Sequence, residues 1–148
     1  MNLPEFHTQH VFFASGSPDD SLLFQQIITE LPYLVHTSMA KDEDTLKALD
    51  ELSSIPDLII LDLALSGKNG LDCLLDIKAN QKFESLPVVI YGTTSYPAAM
   101  NQLYQEGAHL YLHKSENSAF KKLIQYVLSI NWKEKIAPPP REEFVLKV

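Results

Sequence analysis

Apolar and polar residues follow one another along this chain in two rhythms. Short continuous apolar runs occupy residues 10–14 (HVFFA), 57–62 (DLIILD), 86–92 (LPVVIYG) and 109–113 (HLYLH), with a weaker one at 33–38 (YLVHTS). Runs of this length with no polar alternation read as strands buried on both faces of a parallel sheet. Between them the apolar positions recur every three or four residues, over 18–31, 42–52, 70–80, 98–107 and 120–130, which predicts helices. The ends are marked as well. Ser17 suits an N-cap and Pro18 the first helical turn, with Asp19 and Asp20 at the positive end of the dipole, and Pro32 follows the helix. Acids crowd the first turn of 42–52, and Gly107 fits a left-handed C-cap. Five repeats of strand then helix, joined by short links, specify a doubly wound α/β fold. Its five-stranded parallel sheet is covered by helices on both faces, because each right-handed crossover returns the chain beside the strand it left.

The stretch PDLIILDLALSGKNG, residues 56–70, concentrates the chemistry. Asp62 closes a buried apolar strand, and a carboxylate there is costly unless it meets water, a cation or hydrogen-bond donors. It therefore belongs at the strand's carboxyl end, facing the crevice where open α/β sheets take ligands. The following SGKNG supplies the backbone freedom of a tight loop, and residues 71, 74, 75 and 77 present an apolar helix face.

Composition narrows the class. With 148 residues, 45% hydrophobic and 21% charged, the chain is one globular domain, 10–130, with an N-terminal extension at 1–9 and a tail at 131–148. No apolar run approaches the roughly eighteen residues of a membrane span, and the first residues carry no export signal, so the expected setting is cytoplasmic. The single cysteine, Cys73, falls on the apolar side of a predicted helix and reads as a buried thiol. A net charge of -7 has the wrong sign for neutralising phosphates, which argues against nucleic acid as a partner; Lys121 and Lys122 read as a solvated helix face. The tail differs in composition: Pro138, Pro139 and Pro140 forbid helix and favour an extended segment, and the flanking Trp132, Phe144, Val145 and Leu146 suit packing back onto the domain.

These motifs together resemble the bacterial response regulator receiver domain, over about residues 10–130 and particularly its stand-alone, chemotaxis-regulator-like members. PDLIILDLALSGKNGLDCL resembles the family's phosphoacceptor strand and loop, LPVVIYGTTS its fourth strand and GAHLYLHKS its fifth. The resemblance implies a flavodoxin-like fold and a role in two-component phosphorelay signalling rather than an enzyme. It implies Asp62 as phosphoacceptor, Lys114 as the phosphate-contacting lysine, and Gly92, Thr93 and Tyr111 at the switch positions. The chemistry is consistent, since phosphoryl transfer to a carboxylate depends on cations that offset charge on the transferring oxygens, usually Mg²⁺ and a lysine. A sensor histidine kinase or phosphotransfer protein, and other signalling proteins, are the implied partners of a monomer or weak dimer, with no nucleic acid and no membrane.

The departures are specific. The family's acidic pair after the first strand is Ser15 and Gly16 here, neither of which offers a carboxylate. Asp62 and the carbonyl of Ala64 remain as metal donors, so Mg²⁺ binding is expected to be weak. Asp19 and Asp20 are read as dipole partners instead. The switch hydroxyl is replaced by Gly92, and Ser115 stands where a proline usually follows the lysine. With the acids gone, an Asp62–Lys114 ion pair is expected to hold one fixed state. His109, Tyr111 and His113 alternate along the fifth strand, share one face, and mark the implied output surface. Four readings follow: an atypical receiver acting by protein contact, a conventional receiver phosphorylated at Asp62, an aspartate-nucleophile phosphatase, and a flavin-binding module. The phosphatase would need an acid where Ala64 stands, and the flavin module more than the lone Gly16 after the first strand.

Overall fold

The computed structural model describes residues 9–40, 45–65, 69–134 and 137–148. The expected extension at 1–9 lies outside the described residues except Gln9, as do the first residues of the helix expected at 42–52 and part of the SGKNG loop. The strands are β1 (Gln9–Ala14), β2 (Val35–Ala40), β3 (Leu58–Asp62), β4 (Val88–Gly92), β5 (Leu110–His113) and β6 (Val145–Leu146). The helices are α1 (Pro18–Glu30), α2 (Thr45–Asp50), α3 (Gly70–Lys78), α4 (Pro97–Gln105) and α5 (Asn117–Ser129). One sheet forms in the order β2-β1-β3-β4-β5-β6, and every described pairing is parallel. The flavodoxin-like architecture expected from the sequence is present with one correction: the sheet has six strands rather than five.

Period-two alternation divides the core into two layers. Val11, Phe13, Leu58, Ile60, Val89, Tyr91, Leu110 and Leu112 face α1 and α5, where they meet Phe24, Ile27, Phe120 and Ile124. Phe12, Ala14, Ile59, Leu61, Val88, Ile90 and Tyr111 face α2, α3 and α4, where they meet Leu49, Leu74, Ile77 and Leu103. Because β1, β3 and β4 are covered on both faces, their sequences carry no polar alternation.

The cap signals hold: Ser17 caps α1 by accepting from the Asp20 amide, Pro18 opens it, and Gly107 has φ of 100° just past α4. The first residue of α3, Gly70, has a steric role. A Cβ there would stand 2.8 Å from the Asp62 carbonyl oxygen and 2.8 Å from the Leu63 Cα, so only glycine lets α3 start this close to the end of β3.

The sixth strand comes from the tail. Beyond α5, the buried Trp132 donates its indole N–H to the Val127 carbonyl at 2.9 Å, and its backbone N–H to the Gln9 side chain. From residue 137 onward the tail lies on the α4 face, where the Tyr104 hydroxyl donates to the Pro139 carbonyl at 2.8 Å and Arg141 Nε donates to Asn101 Oδ1 at 2.7 Å. Phe144 is fully buried against Tyr104, and its carbonyl accepts from the Tyr111 amide at 3.0 Å, so β5 is no longer an edge. Fully burying a phenylalanine stabilises by about 1.5–3 kcal/mol, enough to hold a two-residue strand that could not persist alone.

Candidate functional site

Parallel strands open their carboxyl ends on one rim, and that rim carries the site. Asp62, the last residue of β3, is buried beside a crevice of about 310 Å³ that Asp20, Tyr91, Gly92, Thr93 and Lys114 also line. The Asp62 carboxylate accepts from the Ser15 hydroxyl at 3.0 Å through Oδ2 and from the Ala64 amide at 2.9 Å through Oδ1. Ser15 is itself buried at the end of β1, and its oxygen also accepts from the Ser17 amide at 3.1 Å. A serine here satisfies the aspartate by donation, where an acid would repel it.

Lys114 does not pair with Asp62, which corrects the expected ion pair. Its ammonium bonds to Asp20 Oδ1 and sits 5.3 Å from the centroid of the Phe120 ring. The side chains of Lys114 and Asp20 are 20% and 9% exposed, so water screens this pair little. Asp20 reaches the site because it projects from the first turn of α1 beside the end of β1. It therefore does more than favour the helix dipole, the role the sequence suggested.

Tyr91 completes the arrangement. From the end of β4 its hydroxyl lies 2.9 Å from Ser15 Oγ and 3.0 Å from Asp20 Oδ2, so its one proton is placed for either acceptor between the two carboxylates. Burial raises the pKa of its hydroxyl well above the ordinary phenol value; the carboxylates of Asp62 and Asp20 add to that, against the Ser15 hydrogen bond. The group stays a protonated donor. Tyr91 falls within the apolar run 86–92, and nothing in that local pattern shows that its hydroxyl enters the site.

The switch positions are also in contact. Tyr111 is fully buried, and its hydroxyl donates to the Thr94 carbonyl at 2.9 Å. A Cβ on Gly92 would stand 2.8 Å from that hydroxyl, so the tyrosine fills space that any side chain at residue 92 would need. Burial lifts the Tyr111 pKa to about 12, offset in part by the Thr94 hydrogen bond and aided by the Asp62 charge. The Lys114 amide donates to the Gly92 carbonyl at 2.8 Å, tying the two strand ends together. Gly16 is half-buried in the loop after β1 and brings no side chain to the crevice.

The expected output face needs correction. His109 lies before β5 rather than within it, edge-on to Trp132 at 6.1 Å. Tyr111 offers no surface because α4 and the tail cover it, and His113 is half-buried with Nε2 3.2 Å from the Thr93 carbonyl. Among the described residues no three His, Cys, Asp or Glu side chains are grouped to hold a metal. Each carboxylate oxygen of Asp20 and Asp62 already accepts a hydrogen bond, and Lys114 occupies the cationic place beside Asp20. This donor set does not fit Mg²⁺ without displacing the lysine.

An open parallel sheet with an aspartate and a lysine on its carboxyl rim is the arrangement that the receiver resemblance implies. Residues 17–127 match the model of the response regulator receiver domain, and the chain belongs to that family, which works in two-component signalling. It is 30% identical over 137 residues to the two-component response regulator ORR4 of Oryza sativa subsp. indica, covering 80% of this chain and 59% of the relative. It is 35% identical over 91 residues to the response regulator Rcp1 of Synechocystis sp., covering 60% of each. The chain thus spans about three fifths of the length of these curated relatives. The solved structure of Rcp1 in its Mn²⁺-bound form superposes with a TM-score of 0.75 at 28% identity, covering 88% of this chain and 99% of that one. The phosphorylated cyanobacterial phytochrome response regulator RcpA shares the fold, with a TM-score of 0.77 at 21% identity over 90% of this chain and 99% of that one. No helix among the described residues is long and apolar enough to cross a membrane.

Proposed function

We propose that this receiver is of atypical type: it acts through protein contact, without catalysing a reaction, and Asp62 occupies the phosphoacceptor position with its metal binding impaired. One observation carries this reading. The four carboxylate oxygens around the crevice each have a donor, from Ser15, Ala64, Tyr91 and Lys114, so their hydrogen bonding is satisfied with neither a metal nor a phosphoryl group. Tyr111, packed inward against Gly92, supports a switch held in one position. A sensor histidine kinase or phosphotransfer protein approaches the rim, and further signalling proteins read the state from the cytoplasm.

A second reading has its own support. Asp20 brings a second carboxylate to the crevice from α1, and a conventional receiver could use it in place of the absent acidic pair. Phosphoramidate in millimolar Mg²⁺, followed by intact mass, separates the two. The atypical reading predicts that a phosphoryl group is added to a small fraction of molecules and to none of Asp62→Asn, with a higher yield when Ser15→Asp and Gly16→Asp restore the acids. Full occupancy in the unaltered protein, lost in Asp20→Asn, would establish the conventional reading.

A further inference from the structure

The tail does more than close the edge of the sheet. Where α4 faces β6, a half-enclosed groove of about 370 Å³ opens on the same rim as the acidic crevice. Its lining combines apolar Pro97, Met100 and Val145 with His113, Arg141 and Lys147. No acidic residue lines it, on a chain whose net charge is -7. β6 runs parallel to its neighbours, so Lys147 is delivered to the carboxyl rim beside His113. Arg141 is held in place: Nε is fixed on Asn101, and the guanidinium lies 5.8 Å from the Phe144 ring centroid. Neither contact uses its two terminal nitrogens, which keep donors for a carboxylate at the groove that Arg141 lines.

We propose that this groove docks an acidic segment of a partner protein, with a carboxylate on Arg141 and Lys147 and an adjacent apolar side chain on Pro97, Met100 and Val145. Charge complementarity decides the occupant: with Arg141 and Lys147 and no acidic residue in its lining, the groove favours a segment rich in Glu or Asp, while the long-range repulsion between two chains of charge -7 opposes self-association. The volume suits one or two side chains, as in peptide grooves that combine an apolar anchor with a fixed polar contact. Thr94 lines both the groove and the acidic crevice and accepts the Tyr111 hydroxyl, so a docked segment touches the wall that the switch tyrosine holds. The inference adds the partner's chemistry to the protein-contact role above and does not need phosphorylation.

The test is a titration of ¹⁵N-labelled protein with an acetylated, amidated peptide alternating Glu and Leu, and with its Lys–Leu counterpart. Saturable shifts at the amides of Met100, His113, Val145 and Lys147 are expected with the Glu peptide and not with the Lys peptide. Lys147→Glu, exposed and outside the core, is expected to weaken binding about fivefold or more, and Arg141→Glu likewise. Equal shifts with both peptides, shifts elsewhere, or unchanged affinity in Lys147→Glu would overturn the proposal. So would the same shifts on concentrating the protein alone, which would assign the groove to a second copy. Asp62→Asn is expected to bind the Glu peptide as well as the unaltered protein does, since Asp62 does not line the groove. Loss there would overturn a docking site that stands apart from the acidic crevice.

Discussion

The Tyr111 hydroxyl lies 2.8 Å from where a Cβ on residue 92 would be, so Gly92 and Tyr111 are sterically exclusive partners. The tyrosine is buried in the cluster that also holds Phe144, and moving its hydroxyl away from residue 92 strains the 2.9 Å bond to the Thr94 carbonyl. Gly92→Ala is therefore expected to cost about 1–3 kcal/mol as overpacking and to drive Tyr111 outward. Urea unfolding gives the first quantity. Ring signals of Tyr111 give the second, and an unmoved ring in a stable variant would contradict the steric account.

Lys114 is coupled to Asp20 more strongly than to Asp62. Double-mutant cycles with Lys114→Met are expected to give about 1–3 kcal/mol for Asp20→Asn, and a few tenths of a kcal/mol for Asp62→Asn. Denaturant midpoints of the singles and doubles check it, and the reverse ranking would restore the ion pair expected from the sequence.

Much of this architecture is legible in the chain. The apolar run Leu58–Leu61, the aspartate after it and the helix spacing beyond are enough to place Asp62 at a strand end. Asp20 was legible as a first-turn acid but not as the partner of Lys114, because that contact spans ninety-four residues and depends on how α1 leans on β1. Tyr91 hid for a related reason: on a strand it reads as core, and only the crossing of β1, α1 and β4 brings its hydroxyl to Ser15. The tail's prolines showed extension. They could not show a parallel pairing, which depends on the register at which Val145 and Leu146 meet Tyr111 and Leu112.

Tyr91→Phe removes the donor between Ser15 and Asp20 and keeps the ring stacked near Phe13 and Phe120. A loss of about 1–2 kcal/mol is expected, the cost of a buried hydrogen bond with acceptors left behind. Thermal unfolding at matched ΔH measures it.

Phe144→Ala opens a cavity under β6 and is expected to cost about 3–5 kcal/mol. Hydrogen exchange should then show the Tyr111 amide unprotected, because its acceptor is the Phe144 carbonyl.

The raised Tyr111 pKa makes stability fall with alkali. Its neutral form is favoured in the fold, so its contribution is complete below the ordinary phenol value of about 10 and is lost as pH rises toward about 12. His10 works at the acid end. Burial lowers its pKa, with Asp57 opposing and His36 reinforcing, so the unfolded chain binds the proton first and stability falls as pH drops below about 6.5. Unfolding midpoints against pH are expected to show a shallower alkaline slope in Tyr111→Phe, the remainder coming from Tyr91 and Tyr33, and to lose the His10 contribution to the acid slope in His10→Gln.

The central claim is that the crevice is satisfied without a metal or a phosphoryl group, and one titration tests it most directly. Mg²⁺ and then beryllofluoride would be added to ¹⁵N-labelled protein while the amides of Asp62, Gly92 and Lys114 are followed. The account predicts no saturable shift at millimolar Mg²⁺ and no further change with beryllofluoride. Saturable shifts that vanish in Asp62→Asn would contradict it and show a working phosphoacceptor.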